Sequence, residues 1–131
     1  MVFRFAAEQA DRVAAIAPVA GHCWIDPKPS RPVPTYYLVG DSDPLVPLAG
    51  GPVQTFWGKA DTRPAVAETL RIWGEAIGHP PGSDFFPVKV IANHGHHWPG
   101  GRALLGEKLG GLAADTVDAT TEIWEFFRSA L

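Results

Sequence analysis

Three short apolar runs limit what this chain can fold into. VAAIAPVA at residues 13–20 ends at Gly21, TYYLV at 35–39 ends at Gly40, and VKVIA at 88–92 ends in a His- and Gly-rich turn. Each has strand length, and a near-continuous apolar run suits a strand covered on both faces. Between the second and third runs, Val66, Leu70, Trp73 and Ile77 recur at helical spacing and Gly78 closes the pattern. Thr62 is the expected cap of that helix, with Pro64 in its first turn. Near the end of the chain, Asp118 is expected to cap a last helix whose apolar stripe is Ile123, Phe126, Phe127 and Ala130. The first residues also read as an amphipathic helix, with Val2, Phe5 and Ala6 on one side. Trp73 and Trp124 fall on helical stripes and are expected in the core, and Cys23 is expected to be a small buried hydrophobe. HCWIDPKPSRPVP and GDSDPLVPLAGGP read as loops because proline interrupts both helical and strand hydrogen bonding.

Strands separated by helices predict a mostly parallel sheet with helices on both faces. A chain of 131 residues suits one domain. The net charge is −3 and Lys and Arg are not clustered, so the footprint of a nucleic-acid partner is missing. No apolar run is long enough to span a bilayer. The single cysteine cannot form an internal disulfide and gives no zinc spacing.

In open parallel sheets, ligands and reacting groups sit in the loops beyond the carboxyl ends of the strands. Two such loops carry titratable groups: Gly-Asp-Ser-Asp-Pro after residue 39, and Asn-His-Gly-His-His-Trp-Pro-Gly-Gly after residue 92. An aspartate on one loop and a histidine on the next are the orienter and the base of a hydrolytic triad. The histidine moves the proton, while the aspartate fixes its tautomer and stabilises the imidazolium. In α/β-hydrolases the chain order is nucleophile, acid, histidine. The acid and the histidine stand in that order here. A zinc reading would need three or four converging ligands, and no Cys or acidic residue follows His94 and His96 at ligand spacing.

ADRVAAIAPVAG (10–21), GDSDPLVP (40–47), VAETLRIWGEAIG (66–78), GHHWPGG (95–101) and DATTEIWEFF (118–127) together carry a resemblance. The chain resembles the C-terminal half of a polyhydroxybutyrate depolymerase-like esterase, a group that includes feruloyl esterase-like members. GHHWPGG and the IAPVAG strand are the specific stretches.

The resemblance implies a truncated α/β-hydrolase three-layer sandwich over residues 1–131, without the N-terminal half and the nucleophile elbow. It implies hydrolysis of small or oligomeric carboxylic esters without a cofactor, using Asp43 as the triad acid and His96 as the triad histidine. His94 and His97 are then neighbours of the base. Family members carry the nucleophile serine in a Gly-x-Ser-x-Gly turn just before the segment that matches Met1, so neither nucleophile nor oxyanion hole is assigned in this chain. The isolated chain is accordingly expected to be weak or inactive. A sheet cut beside its central strand would expose an edge suited to a homodimer or to an N-terminal complementing half.

Two further enzyme readings stand beside this one. Gly-Asp-Ser at 40–42 resembles the serine block of GDSL-type hydrolases, which would make Ser42 the nucleophile for His96. That family places Asp three residues before its histidine, where this chain has Asn93. Cys23 as a nucleophile for His96 rests only on its place after the first apolar run. A non-enzymatic half-domain that requires a partner chain is the remaining reading.

Overall fold

In the computed structural model, which describes residues 1–55 and 57–131, the apolar side chains of the TYYLV run divide between two clusters. Tyr37 and Val39 join one that contains Phe3, Ala6, Val66, Trp73 and Ile77, while Tyr36 and Leu38 join another with Ala119 and Ile123. This is the strand periodicity of two, with each face covered by different helices. The strand at the centre is β1 (Tyr37–Gly40), and all four of its residues are buried. It pairs in parallel with β4 (Val88–Ile91), in the register Tyr37↔Val88 to Gly40↔Ile91. One face is covered by α1 (Val2–Glu8) and α2 (Val66–Ile77), and the other by α4 (Ala119–Ala130).

The first apolar run also lies parallel to β1, but as two separate bridges, Ile16↔Thr35 and Val19↔Leu38. Both bridges share one register offset. The bond missing between them is the one that residue 18 would donate, and residue 18 is proline. The expected continuous strand is therefore interrupted at Pro18. The outer N–H groups of Ala17 and Val19 make no hydrogen bond among the described residues.

Between Gly51 and Arg63 the chain is more structured than a loop. β2 (Gly51–Gln54) and β3 (Ala60–Arg63) form an antiparallel ribbon apart from the parallel pair. The fold is thus α/β with a small mixed set of strands. Thr62 lies inside β3, and α2 starts only at Val66, behind Ala65 and without a side-chain cap. Pro64 explains the correction, because the residue before a proline is driven to extended backbone, which prolongs the strand. The rest of the α2 expectation holds. Val66, Trp73 and Ile77 are buried, Leu70 is half-buried, and Gly78 closes the helix in the left-handed conformation at φ 71°.

Asp118 caps α4 by accepting the Thr121 N–H at 3.2 Å. Ile123 is buried and Phe126, Phe127 and Ala130 are half-buried, but Trp124 is 59% exposed and lies off the buried stripe. Lys89 of β4 and the Tyr36 hydroxyl both donate to Glu122, at 2.6–2.7 Å, and tie α4 to the sheet. In α1 the buried positions are Phe3 and Ala6, whereas Val2 and Phe5 are exposed. Cys23 is buried, as expected.

One buried polar side chain, Thr35, ties α2 to the strands through Trp73. Thr35 donates from Oγ1 to the Val33 carbonyl at 2.9 Å and accepts the Trp73 indole N–H at 2.8 Å. A Thr35→Val substitution keeps the shape and removes both bonds in a fully buried place. It should cost about 1–3 kcal/mol, with Thr35→Ser much milder; urea unfolding of both variants checks this.

Candidate active site

β1 and β4 are adjacent and parallel, so their carboxyl-terminal turns emerge side by side. Three hydrogen bonds stitch these turns together. The Asp41 N–H donates to the Ile91 carbonyl at 3.0 Å, the Ser42 N–H donates to the His94 carbonyl at 3.0 Å, and the Asp41 carboxylate accepts the Asn93 N–H at 2.8 Å. Asn93 takes a positive φ of 52°, which asparagine tolerates better than most residues. Gly40 permits the approach, since a Cβ there would lie 1.9 Å from the His94 carbonyl oxygen.

The stitched turns bring together residues 53 positions apart. The His96 Nδ1 lies 2.8 Å from Oδ2 of Asp43. The Asp43 side chain is fully buried, and its other oxygen, Oδ1, accepts the N–H groups of Leu45 and Val46 at 2.8 Å each. One carboxylate oxygen thus builds the turn after the strand while the other holds the imidazole. Burial alone would raise the Asp43 pKa. The bond from His96, its charge when protonated, and the Val46 and Leu45 N–H groups outweigh burial and hold the carboxyl below its ordinary value. With Asp43 ionised, the proton between the two residues belongs on Nδ1, and Nε2 keeps a lone pair.

The other loop histidines are scaffold. His94 is buried, accepts the Ala114 N–H on Nδ1 at 3.0 Å and donates from Nε2 to the His97 carbonyl at 3.0 Å. His97 donates from Nε2 to the Gly111 carbonyl at 2.9 Å. The backbone N–H groups of Gly95 and His96 donate to Leu112 and Gly110. Residues 110–114, at the end of the short helix α3 (Glu107–Gly110) and just beyond it, therefore clamp the His96 loop. His79 lies elsewhere, stacked on Phe85 at 3.9 Å. Among the described residues, no three His, Cys, Asp or Glu side chains converge as a metal site would require.

The His96 ring is 35% exposed and lines two open cavities of about 580 and 480 Å³. Met1 and Val2, at the tip of α1, line the larger one, and Val2 also lines the smaller. Ser42 is exposed, and its hydroxyl donates to the Asp41 carboxylate at 2.8 Å rather than to His96. The Cys23 thiol is raised in pKa by burial and contacts the Ile25 carbonyl. Of the residues singled out from sequence, Asp43 and His96 come together, whereas Ser42 and Cys23 do not join them. The cross-loop role of Asp41 was not legible, because a turn aspartate gives the same sequence signal. No family model, curated protein or solved structure matches the chain.

Proposed function

We propose that this chain supplies the acid and the base of a carboxylic ester hydrolase of the depolymerase-like α/β-hydrolase group. Asp43 orients and His96 carries the proton. The observation that carries the reading is the 2.8 Å contact between a doubly anchored buried carboxylate and Nδ1 of a half-exposed histidine. It leaves Nε2 as the base for a nucleophile on the cavity side. Parallel strands, helices on both faces of β1 and the chain order of acid before histidine all agree with the three-layer sandwich of that group.

Among the described residues, no hydroxyl or thiol hydrogen-bonds to His96. Because Met1 and Val2 line the same larger cavity as His96, a serine carried just ahead of α1 would open onto that cavity. In this reading the serine loses its proton to His96 as it attacks the ester carbonyl. His96 then returns the proton to the leaving alcohol, which leaves the acyl group on the serine. A water gives its proton to His96 as it attacks that acyl-serine, and the proton passes back to the serine oxygen as the carboxylic acid departs. Asp43 stabilises the imidazolium each time it forms.

A fusion that places the N-terminal half of a depolymerase-like esterase, through its Gly-x-Ser-x-Gly turn, ahead of Met1 is expected to hydrolyse p-nitrophenyl butyrate and to lose that activity with His96→Ala. The 131-residue chain alone is expected to stay at background, and Ser42→Ala should leave the fusion unchanged. Enzyme-like turnover by the chain alone, abolished by Ser42→Ala, would instead support the GDSL-type reading.

A further inference from the structure

Among the described residues, one buried side-chain polar atom lacks a hydrogen-bond partner: Nε2 of His22. The other ring nitrogen, Nδ1, lies 3.2 Å from Oγ1 of Thr69. That Oγ1 already accepts the Cys23 N–H at 3.1 Å, so its own proton can turn toward Nδ1. The imidazole is then neutral, with its proton on Nε2. Burial holds the His22 pKa below its ordinary value, and the Arg63 charge adds to that; Asp43 opposes both. A sealed N–H donor is costly unless something accepts from it.

His22 lines the larger cavity beside His96, together with Trp24 and Arg63. The Trp24 ring lies 5.2 Å from the His22 ring, and the Arg63 Cζ sits 5.7 Å from the Trp24 ring centroid. Trp24 is 62% exposed. Among the described residues the indole N–H groups of Trp73 and Trp98 are hydrogen-bonded and that of Trp24 is not. Among the described residues no side-chain hydrogen bond therefore holds Trp24 beside His22, and its polar neighbour is the Arg63 guanidinium over its ring. Arg63 pairs through Nη1 with Asp61 at 3.1 Å, and the Asp61 side chain is half-exposed.

We propose that His22 and Arg63 bind a carboxylate carried by the ester substrate away from the scissile bond, with Trp24 swinging aside to admit it. The favoured substrate is a half-ester of a dicarboxylic acid. This rests on the ester-hydrolase reading above. A carboxylate has oxygens for both donors and a charge for the guanidinium. A neutral group would satisfy His22 but gain nothing from the Arg63 charge, which only the half-exposed Asp61 now offsets, and a cation would be repelled. The apolar chain between the two carboxyl groups would lie against the Trp24 ring.

The test titrates the 131-residue chain with the monomethyl esters of succinate, adipate and suberate, each against its dimethyl ester. Binding is read from the imidazole nitrogen signals and from tryptophan fluorescence, with Trp24→Phe identifying the Trp24 contribution. At least one half-ester should bind about tenfold or more tighter than its dimethyl ester, since hydrogen bonds to charged groups are worth that much. It should also move the His22 Nε2 signal and change Trp24 emission. Arg63→Gln, on an exposed ribbon, should bring the half-ester down to the level of the dimethyl ester, and His22→Phe should weaken it in the same direction.

Equal binding of the two esters, no binding of either, or half-ester binding that survives Arg63→Gln would overturn the inference. Hydrolysis by the fusion is a separate readout. Half-ester binding without hydrolysis in the fusion overturns the catalytic reading, while hydrolysis without half-ester preference overturns the carboxylate site alone.

Discussion

Asp43→Asn is expected to abolish nearly all hydrolysis by the fused enzyme, with a fall in kcat of about 10⁴-fold, the scale seen when a triad carboxylate becomes an amide. The reason is local. The oxygen of the new amide can still accept the Leu45 and Val46 N–H groups, but its NH₂ then faces Nδ1 of His96, where Asp43 now presents an acceptor at 2.8 Å. The imidazole must flip or adopt the other tautomer, and Nε2 stops being a base. A p-nitrophenyl butyrate assay on both proteins checks this.

The same variant should also be less stable, by about 1–3 kcal/mol near neutral pH. That difference has a defined pH dependence. The folded pKa of Asp43 lies below its ordinary value of 3.8. Its contribution is therefore complete above that value and is lost as pH falls through the depressed folded pKa. Urea melts of the two proteins should differ at neutral pH and converge in acid.

Gly40→Ala is expected to be the most damaging small substitution outside the pair. The added Cβ would meet the His94 carbonyl oxygen at 1.9 Å and its carbon at 2.5 Å. Both are backbone atoms, already committed to the bond from the Ser42 N–H. The turns after β1 and β4 must separate, which should cost about 3 kcal/mol or more. For a chain of this size that lowers Tm by roughly 10 °C. Catalysis in the fusion should fall with it, because the same separation draws His96 from Asp43. Gly21→Ala is the control: its nearest neighbour would be the Pro18 Cβ at an ordinary 3.9 Å, so melting should change little.

The helices were legible because their signals are local. The α2 stripe, Gly78 and the Asp118 cap each depend on residues within a turn or two of one another. Thr62 misled because a threonine ahead of a proline suits a helix start and a strand end equally well, and Pro64 decided for the strand. Pro18 was visible in the sequence, yet its effect on the ladder depends on which carbonyl would have faced it. The β2–β3 ribbon carries Pro52, Asp61 and several exposed positions, with little strand patterning. Trp124 and Phe126 lie two residues apart on one helix, and only the position of the sheet shows which of them faces inward.

The site was legible to a different degree. Strand ends followed by Asp43 and His96 identified two loops, and family resemblance gave each residue a role. Neither could show that Asp41 stitches the loops or that residues 110–114 hold the His96 loop from His94 to His97. Those contacts join segments far apart in the chain, and their partners are mostly backbone groups, which carry no sequence signature.

The proposed chemistry requires that Asp43 hold His96 with its proton on Nδ1. Imidazole ¹⁵N NMR of the chain at neutral pH measures this directly. The expected spectrum shows a His96 whose Nδ1 carries a slowly exchanging, hydrogen-bonded proton that disappears in Asp43→Asn. A His96 protonated on Nε2 instead, with signals that the Asp43 substitution leaves unmoved, would contradict it.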